Sequence, residues 1–581
     1  MTRPARWLLP DLDGGAVESL SRALGIGAPA AGVLYGRGFH DADSARRFLC
    51  PSLDDLHDPL AMRGMDCALE RLTRAIHRGE TILVYGDYDV DGATSVAILK
   101  RSIELAGGVA DFHVPDRLKD GYGMRPEVVE AAAARGVSLI ISVDTGIRAA
   151  EVVRRASELS IDVIITDHHL PEAELPPALA VLNPNRPDCL YPEKNLCGVG
   201  VAFKLVQALL STLDWPPEKR KRILESFLKL VAIGTVADVV PLTGENRIIV
   251  KHGLSGLRDV RSPGLRALLD VAGFTGGNIP SATQVAFRIA PRMNAAGRMA
   301  TANDVIEMLL TTDADRARVL AGQLHTLNAE RQKTEAGIIE TILEECERVP
   351  VTDAQPALVF SAPGWHRGVL GIVASRLVER FCRPVFVLSE DPETGLASGS
   401  GRSIARLHLL EALESMPELF TKFGGHSHAA GLTIESKCVA GFRTRLEQYA
   451  GNRLTPDDFV RETEIDAILP LSAANERTLA EINALAPFGC GHPAPVFAAL
   501  DAEVAGPPSV WKQKHLRVPL RQNGRTVWLK AWNFAERLSE LAPGARVDAA
   551  LTLEDDTYSA SAGLPGWSLV LRDVRPAGAP G

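Results

Sequence analysis

The spacing of apolar and polar positions changes several times along the chain, and each change marks an element. Thr81 to Val84 is a short apolar run of the kind a buried strand shows, and Ala93 to Leu105 follows with helical spacing. Such runs alternate from Leu69 to about Asp238. Strands are expected at Leu83–Val84, Ala110–Val114, Leu139–Val143 and Val163–Thr166, and helices near 94–106, 126–135, 148–158, 200–213 and 218–233. That alternation predicts an α/β domain with a parallel sheet and right-handed crossovers. Asp313 to Arg348 has no proline and carries Val319, Leu320, Leu324, Leu327, Ile338, Ile339, Ile342 and Leu343, which predicts one long connecting helix. A second α/β pattern begins after Pro356, with strands at Leu358–Phe360 and Val385–Leu388 around a helix over Val369–Phe381, and another helix near 439–450. From Asn452 onward, short runs between Gly, Pro and Asn turns predict a five-stranded β-barrel. Residues 1–60 read as a helical lead-in, with Asp43 as the N-cap of a helix over Ser44–Leu49. The expected division is 1–60, 61–312, 313–348, 349–452 and 453–581.

At 581 residues the chain exceeds one core, since single cores stop growing near about 250–300 residues. A composition of 46% hydrophobic and 23% charged residues is globular. No run approaches about 18 apolar residues, so no membrane helix is expected. The N-terminus lacks a basic segment leading into an apolar core, so no signal peptide is expected. The eight cysteines form no CxxC pair, which suits reduced thiols in a cytoplasmic protein. A net charge of −9 opposes nucleic-acid binding by the chain as a whole. The window Trp511 to Ala535 reverses that sign: it holds Lys512, Lys514, Arg517, Arg521, Arg525 and Lys530, no acid, and interleaved Trp511, Trp528, Trp532 and Phe534. Aromatics on a positive groove are how β-barrels hold single strands. The plainer reading is a solvated hairpin over core tryptophans.

Between the first strand and its helix, Asp87, Asp89 and Asp91 alternate. Carboxylates this close repel, and burying them is costly unless a cation compensates. The carboxyl end of a strand, where α/β sheets place their sites, therefore points to a hard divalent ion. Asp144 after Ser142-Val143, the run Asp167-His168-His169, and Asp238 after Val236-Ala237 offer further ligands. Carboxylates with one or two imidazoles suit Mn²⁺ or Mg²⁺ better than zinc. Taken singly, a strand-end Asp more often caps the next helix, and a His pair is more often hydrogen-bonded in a core. The conjunction carries the metal reading. A carboxylate shared by two ions about 3.5–4 Å apart would make a two-metal phosphoryl hydrolase.

In order, Asp87-x-Asp89-x-Asp91-Gly92, Val143-Asp144-x-Gly146, Asp167-His168-His169 and Ala237-Asp238 resemble the four motifs of the DHH phosphoesterase superfamily. The segments 114–123, 291–299, 365–374 and 424–431 extend the resemblance, over nearly the whole length, to its single-strand-specific 5′→3′ DNA exonucleases. The resemblance implies an α/β DHH catalytic domain with a parallel sheet over 61–312, the long connecting helix, a second α/β (DHHA1) domain over 349–452, and a C-terminal OB-like β-barrel for nucleic acid over 453–581.

It also implies two ions, Mn²⁺ or Mg²⁺. Asp89 and Asp91 would ligate different ions, Asp144 would bridge them, and His168 and Asp238 would complete one shell. His169 would lie at the scissile phosphate. Asp87 would support the site, and Asp167 would orient the His pair. Tyr85 stands where many relatives carry a histidine ligand. Implied substrate contacts are Arg117, then Asn294 and Arg298 in a turn after Pro291. Ser400 and Arg402, in a glycine-rich turn over Gly399–Ser403, would read the terminal phosphate. His426, with Trp511, Lys512, Lys514, Trp528 and Lys530 on the barrel, completes the set. The implied activity is two-metal hydrolysis of single-stranded DNA from its 5′ end to mononucleotides, in DNA repair and recombination. The enzyme would be a monomer serving a helicase and a single-strand-binding protein. One alternative is a phosphoesterase for short oligoribonucleotides or cyclic nucleotides, whose members are generally shorter and lack the β domain. A metal-inactive DNA-binding scaffold is opposed by the intact set of Asp89, Asp91, Asp144, His168, His169 and Asp238.

Overall fold

The structure is a computed structural model that describes residues 5–117, 121, 123–561, 563 and 565–579. Residues 118–120 and 122, within the 114–123 motif, lie outside the described residues. The chain forms two compact units. One comprises residues 52–454 together with 487–492. The other joins the residues up to 51 with 455–486 and those from 493 on.

The first unit contains a five-stranded, all-parallel sheet in the order Val109–His113, Thr81–Tyr85, Val137–Val143, Asp162–Thr166, Ala180–Leu182. Period-2 alternation explains its burial on both faces. Ile82 and Val84 enter one core with Leu139, Ile141 and Ile164, while Leu83 and Tyr85 enter the opposite core with Ile140, Val163 and Ile165. Helices Val90–Leu105, Gly198–Ser211 and Pro217–Ala237 cover the first of these faces.

Asp313 accepts the N–H groups of Asp315 and Arg316 and so starts the helix Ala314–Arg348. Its 35 residues extend about 52 Å. One stripe of this helix is buried: Leu320, Leu324, Asn328, Arg331, Glu335, Ile338 and Ile342. The second sheet follows in the order Phe420–Gly425, Ala429–Glu435, Leu396–Arg402, Val385–Asp391, Leu358–Pro363. The expected glycine-rich turn over Gly399–Ser403 is therefore a strand up to Arg402. Its glycines serve close packing, because a Cβ on Gly401 would strike the Phe386 ring and one on Gly399 the Val387 carbonyl. Likewise, the segment after Pro291 is no turn but the helix Ala290–Met299, which runs on directly from the π-helical turn Val285–Ile289.

In the second unit, Phe497–Val504, Arg546–Asp555, Trp567–Pro576, Arg525–Ala531 and His515–Gln522 form a barrel. It closes where Glu503 and Val504 pair with Arg521 and Leu520. The N-terminal residues are not a helical lead-in alone. Strand Arg6–Leu8 pairs in parallel with Glu462–Glu464, and buried Trp7 donates from Nε1 to Asp573 Oδ2 at 2.6 Å. Helices Gly14–Leu24, Ala28–Gly36 and Ala42–Leu49 follow. The cap of the last is Asp41, which accepts the N–H groups of Asp43 and Ser44, while Asp43 pairs with Arg46 at 3.1 Å. Among the described residues no helix is long and apolar enough to cross a membrane.

Candidate metal centre

Adjacent parallel strands end level with one another, so the residues just past Tyr85, Val143 and Thr166 converge. Asp144 takes the left-handed conformation, φ 59°, that Asp tolerates better than most side chains, and its N–H donates to Thr166 O at 2.9 Å. Asp89 caps the helix Val90–Leu105 through the Gly92 N–H at 3.0 Å. Asp91, in that helix's first turn, accepts the N–H groups of Gly198 and Val199 at 2.6 and 2.8 Å, so the start of the helix Gly198–Ser211 is tied to it. Asp238 closes the helix Pro217–Ala237.

The side chains form three overlapping groups whose ligand atoms lie within 4.8 Å of one another: Asp87, Asp89 and Asp144; Asp144, His168 and His169; and Asp91, His168 and Asp238. Asp144 and His168 each belong to two groups. His168 Nε2 is 3.2 Å from Asp144 Oδ1 and 3.7 Å from Asp238 Oδ2. Asp87, given a supporting role from the sequence, thus lies among the ligand-competent carboxylates. Tyr85 is buried on the opposite face of the sheet, its hydroxyl donating to Gly123 O at 3.3 Å.

The electrostatics fit a cation. Burial, then Asp89, pushes Asp91 up to about 7. Burial and neighbouring carboxylates push Asp87, Asp144 and Asp238 well above the ordinary range. Burial, with His169 beside it, lowers His168 to about 4, which leaves its imidazole neutral and a lone pair available. Asp87 Oδ1, Asp238 Oδ2 and His168 Nε2 are buried with no hydrogen bond among the described residues. Buried polar atoms are normally satisfied, and this donor set of carboxylate oxygens and imidazole nitrogen is that of Mn²⁺ or Mg²⁺. Asp167 behaves differently. Burial would raise it, yet hydrogen bonds and charge from His169 hold it low. Asp167 Oδ1 accepts the N–H groups of His168 and His169 and lies 2.7 Å from His169 Nδ1. Of the two rings it orients that of His169. Burial lowers His169, but the Asp167 hydrogen bond and charge outweigh it and raise the imidazole.

A cationic cluster borders the carboxylates. Burial, then Arg117, lowers Arg298 to about 10, with Arg331 and Arg402 adding repulsion and Asp89 opposing it. Arg117 lies 5.0 Å over the Tyr88 ring. Arg298 Nη1 donates to Gly368 O at 3.2 Å, and Arg402 Nη1 to Ser400 Oγ at 2.8 Å. A Cβ on Gly371, in the first turn of the helix Leu370–Phe381, would lie 2.8 Å from Arg402 Nη2. Asn294 faces the metal loop, its Oδ1 accepting the Val90 N–H at 3.2 Å. His426 is lowered by burial, then by Arg148, with His169 adding to it.

Trp511, Lys512, Lys514, Trp528 and Lys530 belong to the barrel unit. Trp511 and Trp528 are 45% and 46% exposed, Trp511 lies 5.1 Å from Trp532, and Arg517 covers Trp528 at 5.0 Å. Lys530 is instead engaged by Asp556 at 2.6 Å, and Phe534 is core.

Residues 81–235 match the DHH family, N-terminal domain, residues 354–452 the DHHA1 domain, and residues 465–564 the RecJ OB domain. The single-stranded-DNA-specific exonuclease RecJ of Bacillus subtilis is 39% identical over 545 residues, 93% of this chain and 67% of that protein. The chain belongs to the RecJ family. The Thermus thermophilus RecJ structure in complex with Mn²⁺ superposes with a TM-score of 0.83 at 34% identity, over 99% of this chain and 80% of that one. Its Mg²⁺ complex gives 0.77 at 32%, over 99% and 79%. The RecJ fold thus accounts for both α/β domains and the barrel, and the cluster at the strand ends can hold the metals those structures contain.

Two features of this RecJ-family site were missed in the sequence. Arg331 stands in the polar run Glu330-Arg331-Gln332-Lys333 of the long helix, where its charge suggests solvent. The spacing Leu324, Asn328, Arg331, Glu335, Ile338 places it on a buried stripe, and that periodicity could have found it. Arg148 lies four residues past Asp144 and carried no signal.

Proposed function

We propose that this protein is a Mn²⁺- or Mg²⁺-dependent exonuclease that degrades single-stranded DNA from its 5′ end to mononucleotides, in DNA repair and recombination. The observation that carries the reading is one junction in the first unit. A carboxylate–imidazole cluster with unsatisfied ligand atoms abuts a cluster of partly buried, mutually repelling arginines. Anions fit the second as cations fit the first.

In this reading Asp87, Asp89 and Asp144 hold one ion, and Asp91, His168 and Asp238 the other, with Asp144 shared. Bound there, two such ions activate water and offset charge on the phosphate and the leaving oxygen. The chain does the rest. Arg117, Arg298 and Arg402, with Ser400, grip the terminal phosphate through charge-assisted hydrogen bonds, which sets the polarity because only one end of a strand enters. Asn294 keeps the metal loop in register with the arginine-bearing helix. Asp167 fixes the His169 ring by its Nδ1, leaving Nε2–H to donate to a phosphate oxygen as charge builds. His426 and Arg148 flank the same histidine. On the barrel, Trp511 and Trp528 stack bases, and Lys512 and Lys514 meet phosphates. The protein acts as a cytoplasmic monomer, and a helicase and a single-strand-binding protein are its expected partners.

The test uses single strands labelled at the 5′ or 3′ end, incubated with Mn²⁺. The 5′ label should leave first, as mononucleotide, and Asp144→Ala should abolish release. Early loss of the 3′ label, or full activity in Asp144→Ala, would overturn the proposal.

A further inference from the structure

Val239 directly follows Asp238 and has φ 62°. A β-branched residue meets steric penalty in that left-handed region, and at 65% exposure its side chain recovers little by packing. Something must hold both flanks. On one side the Asp238 N–H donates to Gly234 O at 2.9 Å, ending the helix. On the other, the chain is clamped two residues on by the segment Pro487–His492.

That segment is a tight finger. Gly489 and His492 exchange backbone hydrogen bonds at 2.8 and 3.1 Å, and the Phe488 and His492 rings stack at 5.4 Å. Cys490 O accepts the Leu242 N–H at 2.8 Å. A Cβ on Gly489 would lie 2.7 Å from Leu242 Cδ1, and one on Gly491, φ +66°, would lie 2.9 Å from Pro241 Cβ. Buried Arg247 donates to Pro487 O at 3.4 Å, and Asn246 donates to Pro241 O at 3.1 Å. The finger packs within the metal-bearing unit, although the chain on either side of it belongs to the barrel unit.

We propose that the Pro487–His492 finger positions Asp238 in the metal centre, with strained Val239 as the link between them. This rests on Asp238 being a metal ligand. Pro241 and Leu242 are pinned by the finger, Asp238 N–H is pinned by its helix, and Val239 takes up the mismatch. The carboxylate is thereby aimed before any ion arrives, as preorganised ligands are.

The experiment titrates Mn²⁺ into the full-length protein and reads free Mn²⁺ by electron paramagnetic resonance, alongside melting of the metal-free protein. Asp238→Asn reports on the ligand and should weaken one ion. Gly491→Ala should weaken the same ion about tenfold, within the range for residues behind a ligand, beside a fall in the metal-free melting temperature from its left-handed backbone and close Cβ contact. Val239→Gly, which frees the link, should weaken it similarly, and the double variant should be no worse than the poorer single one, as for residues acting in series. If Gly491→Ala does not fold, Val239→Gly decides alone. Parental Mn²⁺ affinity in Gly491→Ala or Val239→Gly, beside a weakened Asp238→Asn, overturns the positioning role and leaves the ligand reading standing. So do fully additive losses in the double variant. Parental affinity in Asp238→Asn overturns the ligand reading itself.

Discussion

The Gly198 N–H donates to Asp91 Oδ2 at 2.6 Å, and a Cβ on Gly198 would stand 2.5 Å from that of Asp144. One glycine therefore binds one carboxylate through its amide and leaves room for another. In Gly198→Ala the two carboxylates cannot keep their spacing. Overpacking of this kind costs about 1–3 kcal/mol. Thermal melts should show that loss, and calorimetry should show weakened Mn²⁺ binding; an unchanged Mn²⁺ isotherm would contradict the arrangement.

Asp167→Asn removes the charge that orients and raises His169. Activity should fall about 10–100-fold, as for partners behind a site residue. The imidazole pKa then drops. A donating His169 loses its proton as pH rises through that pKa, so the alkaline limb of the rate profile should move to lower pH. An unmoved limb would assign it to another group.

Metal and pH are linked through the raised carboxylates. In the metal-free protein Asp91 keeps its proton up to about 7, whereas the unfolded chain sheds it near the ordinary 3.8. Between those values the native state holds more protons, so stability falls as pH rises. The melting temperature without metal should decline across that window, and Mn²⁺ should restore it. Binding should release protons, measurable by calorimetry in buffers of different ionisation enthalpy.

Arg298 is lowered by burial and three other arginines, so a bound anion relieves it. In Arg298→Gln, a lost charge-assisted hydrogen bond of about 1.5–3 kcal/mol should raise KM for 5′-phosphorylated strands far more than for 5′-hydroxyl strands. Equal effects on both would remove Arg298 from the terminal phosphate.

On the barrel, Trp511→Ala and Trp528→Ala should each weaken single-strand binding by about 1–3 kcal/mol, the usual worth of a stacked base, with little change in melting. Lys530→Ala should do the reverse, because it leaves buried Asp556 without its cation. Fluorescence anisotropy and thermal melts separate the two.

What could be read in the sequence followed from local chemistry. Asp89, Asp91, Asp144, His168 and Asp238 were legible because each lies at the start or end of a strand or helix whose own pattern is strong. What escaped depended on contacts far along the chain. Gly399 and Gly401 look like turn residues until the Val387 carbonyl and the Phe386 ring are beside them. Asn294 and Arg298 follow a proline that reads equally well as a turn or as the first residues of a helix. Asp41 and Asp43 both satisfy a cap pattern, and the N–H groups of Asp43 and Ser44, which turn to Asp41, decide between them. Arg331 was hidden by its charge, although its helical phase was apolar.

The pairing of Arg6–Leu8 with Glu462–Glu464 also sets an order of events during synthesis. Arg6 and Glu462 are 456 residues apart, and at about 5–20 residues per second the first strand waits roughly 20–90 s for its neighbour. Over that interval Trp7, almost wholly buried in the finished protein, has neither Asp573 nor the barrel to receive it. The metal-bearing unit emerges from the ribosome complete except for six residues, and those six are the finger that braces Asp238.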